Sequence, residues 1–223
     1  KILEHIGCKV KREGHTVTVD ARCMTGCEIP EKQMREMRSS IIFLGAIITR
    51  CGEARVSMPG GCPIGLRPID LHLKALKELG VEIREEHGYI VCTAKKLKGA
   101  DIHLDFPSVG ATENIMLASL GAHGETVIHN AAREPEIEDL ACFLQKCGAN
   151  IRGAGQSVIS VSAPRKLTAA EHKVIPDRIV AATYMAAVVA SGGCAQIKNV
   201  IPNHISAFIA VMRECGASVA VRG

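Results

Sequence analysis

A spacing of 68 residues recurs in this chain and limits its possible folds more than any other feature. Three helix-like segments, each closed by a glycine, begin at Ile69, Ile137 and Ile205, which are 68 residues apart. In each segment apolar side chains fall at i, i+3, i+4, i+7 and i+10, which is one face of an α-helix, except that the first segment has a histidine at one of these positions. The repeat therefore predicts a protein built from copies of one supersecondary unit.

The remainder of each copy predicts what that unit contains. A second helix is predicted upstream of each of the three, at residues 38–50, 110–122 and 178–191. Each leads through a glycine into a short strand, at residues 54–57, 126–129 and 195–198. Paired apolar alternations follow in two copies, at residues 81–83 with 89–91 and 150–151 with 158–161. A further strand is predicted to enter the first helix, so the unit is βαβαββ. The predicted fold class is α/β (α+β).

The two ends of the chain fall inside repeats. Residues 1–10 resemble only the end of a second helix with its glycine, and the chain stops soon after the third such signal. We therefore expect parts of the fold to be missing at both ends. Apolar periodicity is lost near residues 166–173, which predicts one domain over residues 1–168 and the opening of another over residues 169–223.

Composition excludes several functional classes. The net charge is only +4 and aromatic residues are 3% of the chain, so a nucleic-acid partner is not expected. The ten cysteines follow no disulfide spacing, which favours reduced thiols and a cytoplasmic location. Cys23 and Cys27 lack a second ligand pair, so no metal site is predicted. No apolar run is long enough for a membrane span, and no cofactor is indicated.

The connection that precedes the helix at Ile69 carries the strongest chemical signal. It contains Gly60, Gly61 and Gly65 around Cys62, followed by Arg67 and Pro68, whereas the equivalent connections of the other copies have no glycine run. Glycines allow mobility and close backbone approach, an arginine pairs with phosphate or carboxylate, and its charge favours a thiolate. This pattern predicts a loop that closes over an anion; the competing interpretation makes Cys62 a small buried hydrophobe.

His72 interrupts the repeat at a core position. The other copies have Leu140 and Phe208 there, so a titratable side chain replaces an apolar one. A histidine on an apolar face is more often a satisfied core residue than a functional one, and both interpretations stay open.

Two further helix starts are candidates for binding. Ser108, Val109 and Gly110 open a predicted helix, where free amide groups suit a diphosphate, although Ser108 is equally suited to plain N-capping. Asp177 opens the third copy, as a cap or as a carboxylate that faces a site. Arg38 starts the corresponding helix of the first copy.

These residues resemble the UDP-N-acetylglucosamine 1-carboxyvinyltransferase family of enolpyruvyl transferases. The resemblance covers nearly the whole chain and is most specific where Gly-Gly-Cys-x-Ile-Gly-x-Arg-Pro-x-Asp-Leu-His occurs. It is carried by residues 37–40, 59–72, 108–114, 130–137 and 176–179. The resemblance implies two similar domains, each an inside-out α/β barrel of βαβαββ units, with substrates bound between the domains.

The resemblance also implies roles for particular residues. Cys62 would be the general acid, form a phosphoenolpyruvate adduct and be alkylated by fosfomycin, while Arg67 would contact both phosphoenolpyruvate and the UDP-sugar. Arg38 would reach the sugar nucleotide or the phosphate. The uridine site would be lined by Pro68, Ile69, Asp70 and Leu71, and the diphosphate would be held by Ser108, Val109 and Gly110. Further positions near the active site would be His72, Glu134, Glu136 and Asp177.

The implied reaction transfers enolpyruvyl from phosphoenolpyruvate to the 3-hydroxyl of UDP-N-acetylglucosamine, the first step of peptidoglycan precursor synthesis, with the remainder of the two-domain enzyme as partner. The family's N-terminal lysine–asparagine pair, its aspartate base and a phosphate-binding arginine have no counterpart in these 223 residues. Residues 180–183 also depart from the usual glutamate and glycine. Two alternatives stay open: a non-catalytic UDP-sugar-binding fragment or paralogue, and the shikimate-pathway transferase.

Overall fold

The computed structural model describes residues 1–60 and 69–222 of the chain. Contacts divide it into two compact units, one from Lys1 to Glu171 and one from His172 onward. The domain boundary expected after residue 168 stays a prediction. In the described residues, no helix combines the length and apolarity needed to cross a bilayer.

The first unit contains two complete copies of the predicted βαβαββ unit. It opens with α1 (Ile2–His5) and an antiparallel hairpin of β1 (Lys9–Glu13) and β2 (Thr16–Asp20). The first copy comprises β3 (Glu28–Ile29), α2 (Glu31–Glu36), a 3-10 turn (Arg38–Ile42), α3 (Phe43–Cys51), β4 (Glu53–Ser57), α4 (Asp70–Glu78), β5 (Glu82–Glu86) and β6 (Tyr89–Thr93). The second comprises β7 (Asp101–His103), α5 (Val109–Ser119), β8 (Glu125–His129), α6 (Pro135–Lys146), β9 (Asn150–Arg152) and β10 (Val158–Ser162).

The two copies pair their strands in the same way. In the first, the strand order is β3-β4-β6-β5, and in the second it is β7-β8-β10-β9. The first two strands of each sheet are parallel, with Ile29 opposite Val56 and Ile102 opposite Ile128, and the other pairs are antiparallel. The spacing in the sequence therefore corresponds to a repeat in three dimensions.

Each of the three repeated helices ends with the same glycine cap. Gly80, Gly148 and Gly216 have φ of 91°, 101° and 89°, a backbone region that glycine adopts without steric cost. In every copy the amide of the next residue reaches back to the carbonyl five residues before it, at 3.0 Å. The repeated glycine in the sequence thus reflects a repeated requirement of the backbone.

The first unit is organised around one buried helix, α5. Helix α5 is buried along most of its length and packs against α3, α4 and α6. Strands β8 and β10 alternate buried and more exposed side chains, as expected for a sheet with one face on the core. The predicted α/β class is confirmed for this unit, with α5 at its centre.

The unit from His172 onward contains α7 (Arg178–Ser191), a 3-10 turn (Pro202–Ile205) and α8 (Ser206–Glu214), so its two predicted helices are confirmed. The strand expected over residues 195–198 is wrong, because this segment is irregular. In the first unit each such strand is held by a parallel neighbour and an antiparallel one, and a strand without ladder partners is not stable by itself. No described segment of the second unit pairs with residues 195–198. The helix expected from Arg38 was also partly wrong, since it begins as a 3-10 turn.

Gly45 is the point where α3 crosses α5. A methyl group on Gly45 would lie 2.5 Å from the Asn114 carbonyl oxygen and 2.7 Å from its Oδ1. We expect Gly45→Ala to lower the free energy of unfolding by about 2 kcal/mol, since the helices must separate. Urea denaturation measures this, with the exposed neighbour Ala46→Ser as a control expected to change it by less than about 0.5 kcal/mol. An unchanged or higher stability of Gly45→Ala would contradict the packing described.

Candidate functional site

The first turns of α4, α5 and α6 meet at one end of the first unit. His72 of α4 lies against Gly110 of α5, where a methyl group on the glycine would be 3.2 Å from the imidazole Cε1. Thr112 of α5 accepts a hydrogen bond at 3.1 Å from the amide of Ala132, just before α6. Because helix N-termini carry unpaired amides and partial positive charge, their convergence suits a ligand with phosphate groups.

The start of α5 is organised by Ser108. Its side chain accepts a hydrogen bond from the amide of Ala111 at 3.4 Å, so the plain capping role is present. Val109 and Gly110 follow in the first turn, half-buried, and their amides have no partner within the helix. The expected diphosphate-binding role of these three residues stays a prediction.

A buried amide joins three elements behind this helix start. Asn114 of α5 donates from Nδ2 to the carbonyl of Ile41 at 2.9 Å and shares a 2.9 Å hydrogen bond with Nδ1 of His72. Its Oδ1 accepts from the amide of Gly45 at 2.7 Å. All of these groups are buried, so the geometry of α4 and of the 3-10 turn is fixed relative to α5.

The network determines the state of His72. Because Asn114 uses Nδ2 as the donor, Nδ1 of His72 must accept, which leaves the proton of a neutral ring on Nε2. Burial, with a further contribution from the positive charge of Arg38, lowers the pKa of His72 to about 4 against an opposing effect of Asp70. His72 is therefore a neutral donor at physiological pH.

Two carboxylates face each other across α5 and α6. Burial raises the pKa of Glu113, and the negative charge of Glu136 adds to that effect. Glu136 lies in the first turn of α6, after Pro135, and Glu134 is the residue that precedes the helix, without a side-chain cap. The site thus places negative side chains beside the positive ends of the helices.

The structure brings some of the predicted residues together and not others. Cys62, Arg67 and Pro68 lie outside the described residues. Of the proposed uridine contacts, Ile69 and Leu71 are buried in the core and only Asp70 is exposed, while their roles stay predictions. The described members of the converging site are Arg38, Asp70, His72, Ser108, Val109, Gly110, Glu134 and Glu136.

Asp177 belongs to the second unit. There it caps α7, accepting hydrogen bonds from the amides of Ile179 and Val180 at 2.8 and 3.0 Å. Of the two sequence-based interpretations, the capping one is present in the structure, and a role for the carboxylate in a site stays a prediction.

Glu113 and Asn114 were missed by the sequence analysis although a signal for them exists. When the upstream helices are aligned at Arg38, Gly110 and Arg178, Glu113 corresponds to Ile41 and Ala181, and Asn114 to Ile42 and Ala182. The same comparison that singled out His72 would have found both. Polar residues that replace apolar ones in a repeat mark where this copy departs from plain packing.

No cluster of three or more metal-ligating side chains occurs among residues 1–60 and 69–222. The thiol of Cys27 donates to a carboxylate oxygen of Glu53 at 3.1 Å, and burial raises the pKa of Cys27 to about 11. A thiol so protonated is a poor metal ligand and a poor nucleophile.

Comparison with known proteins places these features in a family context. A model of the EPSP synthase (3-phosphoshikimate 1-carboxyvinyltransferase) family matches residues 1–223. A UDP-N-acetylglucosamine 1-carboxyvinyltransferase 2 from Caldanaerobacter subterraneus subsp. tengcongensis is 52% identical over 219 residues, covering 98% of this chain and 52% of that protein. A UDP-N-acetylglucosamine 1-carboxyvinyltransferase from Desulfatibacillum aliphaticivorans is 44% identical over 222 residues, covering 100% and 53%. The chain spans about half the length of the curated relatives it matches.

Solved structures share the fold. The enolpyruvyl transferase NikO from Streptomyces tendae aligns with a TM-score of 0.67 at 25% identity, covering 83% of this chain and 45% of that one. EPSP synthase from Acinetobacter baumannii aligns with a TM-score of 0.70 at 22% identity, covering 99% and 51%.

The lowered pKa of His72 makes stability depend on pH. The unfolded chain binds this proton near pH 6.5 and the folded chain only near pH 4, so the stabilisation is complete above pH 6.5 and is lost as pH falls towards 4. When the pH is lowered from 8 to 5, we expect His72 to reduce the free energy of unfolding by about 2 kcal/mol. Urea denaturation at the two pH values, compared with His72→Phe, isolates this contribution. An equal pH dependence in both proteins would contradict a neutral, buried His72.

Proposed function

Because this chain belongs to the EPSP synthase family of carboxyvinyltransferases, we propose that it forms part of an enzyme that transfers enolpyruvyl from phosphoenolpyruvate to the 3-hydroxyl of UDP-N-acetylglucosamine. The observation that carries the proposal is sequence identity of 44–52% over nearly all of the chain to proteins named for this activity. Since about half of each relative lies outside the match, the activity is assigned to the complete protein.

The converging helix starts support a nucleotide-sugar ligand. The first turn of α5 presents the unpaired amides of Val109 and Gly110 at the place where the resemblance puts the diphosphate, and α4 and α6 begin beside it. Arg38, half-buried in the 3-10 turn beside His72, adds a positive charge close to that place. The exposed Asp70 offers a carboxylate to a hydrogen-bond donor such as the imide of uracil.

The proposed chemistry is addition followed by elimination. The oxygen of the 3-hydroxyl forms a bond to C2 of phosphoenolpyruvate while its proton passes to a base, and Cys62 protonates the methylene carbon. Loss of a proton from the resulting methyl group then expels inorganic phosphate and restores the double bond. Arg67 stabilises the anionic groups of phosphoenolpyruvate, and the reaction requires no cofactor or metal. Cysteine usage supports a cytoplasmic location for this chemistry.

Two alternative functions can be distinguished from this proposal by experiment. A non-catalytic UDP-sugar-binding protein would keep the helix-start site without turnover. The shikimate-pathway transferase is favoured by the name of the family model, whereas the solved EPSP synthase is only 22% identical and supports the fold alone.

Turnover by the complete protein distinguishes these three functions. We expect phosphate release from phosphoenolpyruvate with UDP-N-acetylglucosamine as acceptor and none with shikimate 3-phosphate, measured by a phosphate assay and by mass spectrometry of the enolpyruvyl product. Binding of UDP-N-acetylglucosamine by calorimetry without any phosphate release would favour the non-catalytic alternative. Release with shikimate 3-phosphate alone would refute the proposal.

The role of Cys62 has a separate test. Fosfomycin should add its mass to the complete protein at Cys62, and Cys62→Ser should abolish both the adduct and more than about 99% of turnover, since the proton donor is lost. Cys142, which is exposed on α6, provides the control, because Cys142→Ser should keep the adduct and the activity. An unmodified Cys62 in an active protein would remove it from the mechanism.

A further inference from the structure

We propose that His72 binds the ligand directly, donating a hydrogen bond from Nε2 to an anionic oxygen held at the start of α5, and that Asn114 is the positioning residue that keeps its proton on Nε2. This inference rests on the proposed function only for the identity of the ligand. The site itself follows from the described residues.

The first observation is that Nε2 of His72 has no hydrogen-bond partner in the part of the chain that the structure describes. The side chain is more than nine-tenths buried, with 6% of the residue exposed, and Nδ1 is engaged by Asn114. Among residues 1–60 and 69–222, no group accepts a hydrogen bond from Nε2. A buried donor without an acceptor among these residues is available to a ligand oxygen.

The second observation is where Nε2 points. A methyl group on Gly110 would lie 3.5 Å from Nε2, so the imidazole edge lies beside the first turn of the 11-residue helix α5. The unpaired amides of that turn favour an anion. An oxygen bound there comes within reach of both the amides and the imidazole N–H. The absence of a side chain at residue 110 lets the imidazole lie this close to the backbone of α5.

The third observation concerns the charge state. The groups that act on His72 are Arg38 in the 3-10 turn and Asp70 on its own helix, while α5 contributes the neutral Asn114. Burial and Arg38 keep the ring uncharged at neutral pH. His72 therefore supplies a fixed dipole rather than a charge, and Arg38 supplies the charge.

The repeat provides a substitution that separates binding from packing. Leu140 and Phe208 occupy the corresponding positions of α6 and α8, so an apolar ring is compatible with this helix face. His72→Phe removes the donor and keeps the bulk. We expect the affinity for UDP-N-acetylglucosamine to fall about 10-fold or more, the usual effect of losing a hydrogen bond to a charged group.

Calorimetry on the complete protein measures this effect, with inorganic diphosphate as a second ligand. His123→Phe is the control, because that histidine is exposed between α5 and β8 and should leave both affinities unchanged. Partial recovery is expected in His72→Gln, whose amide can donate from nearly the Nε2 position. Circular dichroism melting of each variant identifies any that fail to fold.

Asn114→Asp tests the positioning role. An aspartate would accept a hydrogen bond from a protonated Nδ1. A neutral His72 would then have no proton on Nε2, and Nε2 would donate only when the ring is positively charged. Affinity for UDP-N-acetylglucosamine should be independent of pH between about 5.5 and 8 in the unmodified protein. In Asn114→Asp it should be weaker at pH 8 and recover as pH falls. A purely structural role for Asn114 would weaken binding equally at every pH.

The outcomes separate this inference from the proposed function. If UDP-N-acetylglucosamine binds and His72→Phe binds it equally well, the inference is refuted and the function stands. If the unmodified protein binds inorganic diphosphate in a His72-dependent way but does not bind the UDP-sugar, the donor is supported and the proposed substrate is refuted. Nitrogen NMR of the unmodified protein provides an independent check, since a proton found on Nδ1 would overturn the assignment.

Discussion

The side-chain amide of Asn114 is the interaction on which the candidate site depends. Its two donors and its acceptor reach the 3-10 turn, α3 and α4 from a buried position on α5. A buried amide that lost one of these partners would cost about 1–3 kcal/mol, so every partner is held in place by the same requirement. Hydrophobic contact positions helices approximately, whereas a saturated amide fixes both their depth and their rotation.

The candidate site combines groups that favour an anionic ligand with groups that disfavour one. The ends of three helices and Arg38 favour an anion, while Asp70, Glu113 and Glu136 oppose one. Glu113 reduces that opposition because its raised pKa favours the neutral form. His72 contributes without adding charge.

Much of the architecture was predictable because it depends on local rules that repeat. Glycine caps, the helical apolar stripe and strand alternation can each be recognised in the sequence of one copy and recur in the next, so the sequence alone predicts the βαβαββ unit. The strand at residues 195–198 was not predictable in this way, since a strand is stabilised by partners that its own residues do not specify. The repeat comparison can single out Glu113 and Asn114 as polar replacements, but it cannot predict their interactions with Gly45, Ile41 and Glu136, which are distant in sequence and adjacent in space.

The two ends of the helices differ in how much their connections vary. The glycine caps after α4 and α6 have similar φ values and the same 3.0 Å hydrogen bond, yet the connections that enter these helices cover residues 58–69 in one copy and only residues 130–134 in the other. The end of the helix is therefore the same in both copies, whereas the segment that enters it differs in length and chemistry. Such a division lets a duplicated unit acquire new specificity by exchanging a single entering segment, without any change in the packing that both copies inherited.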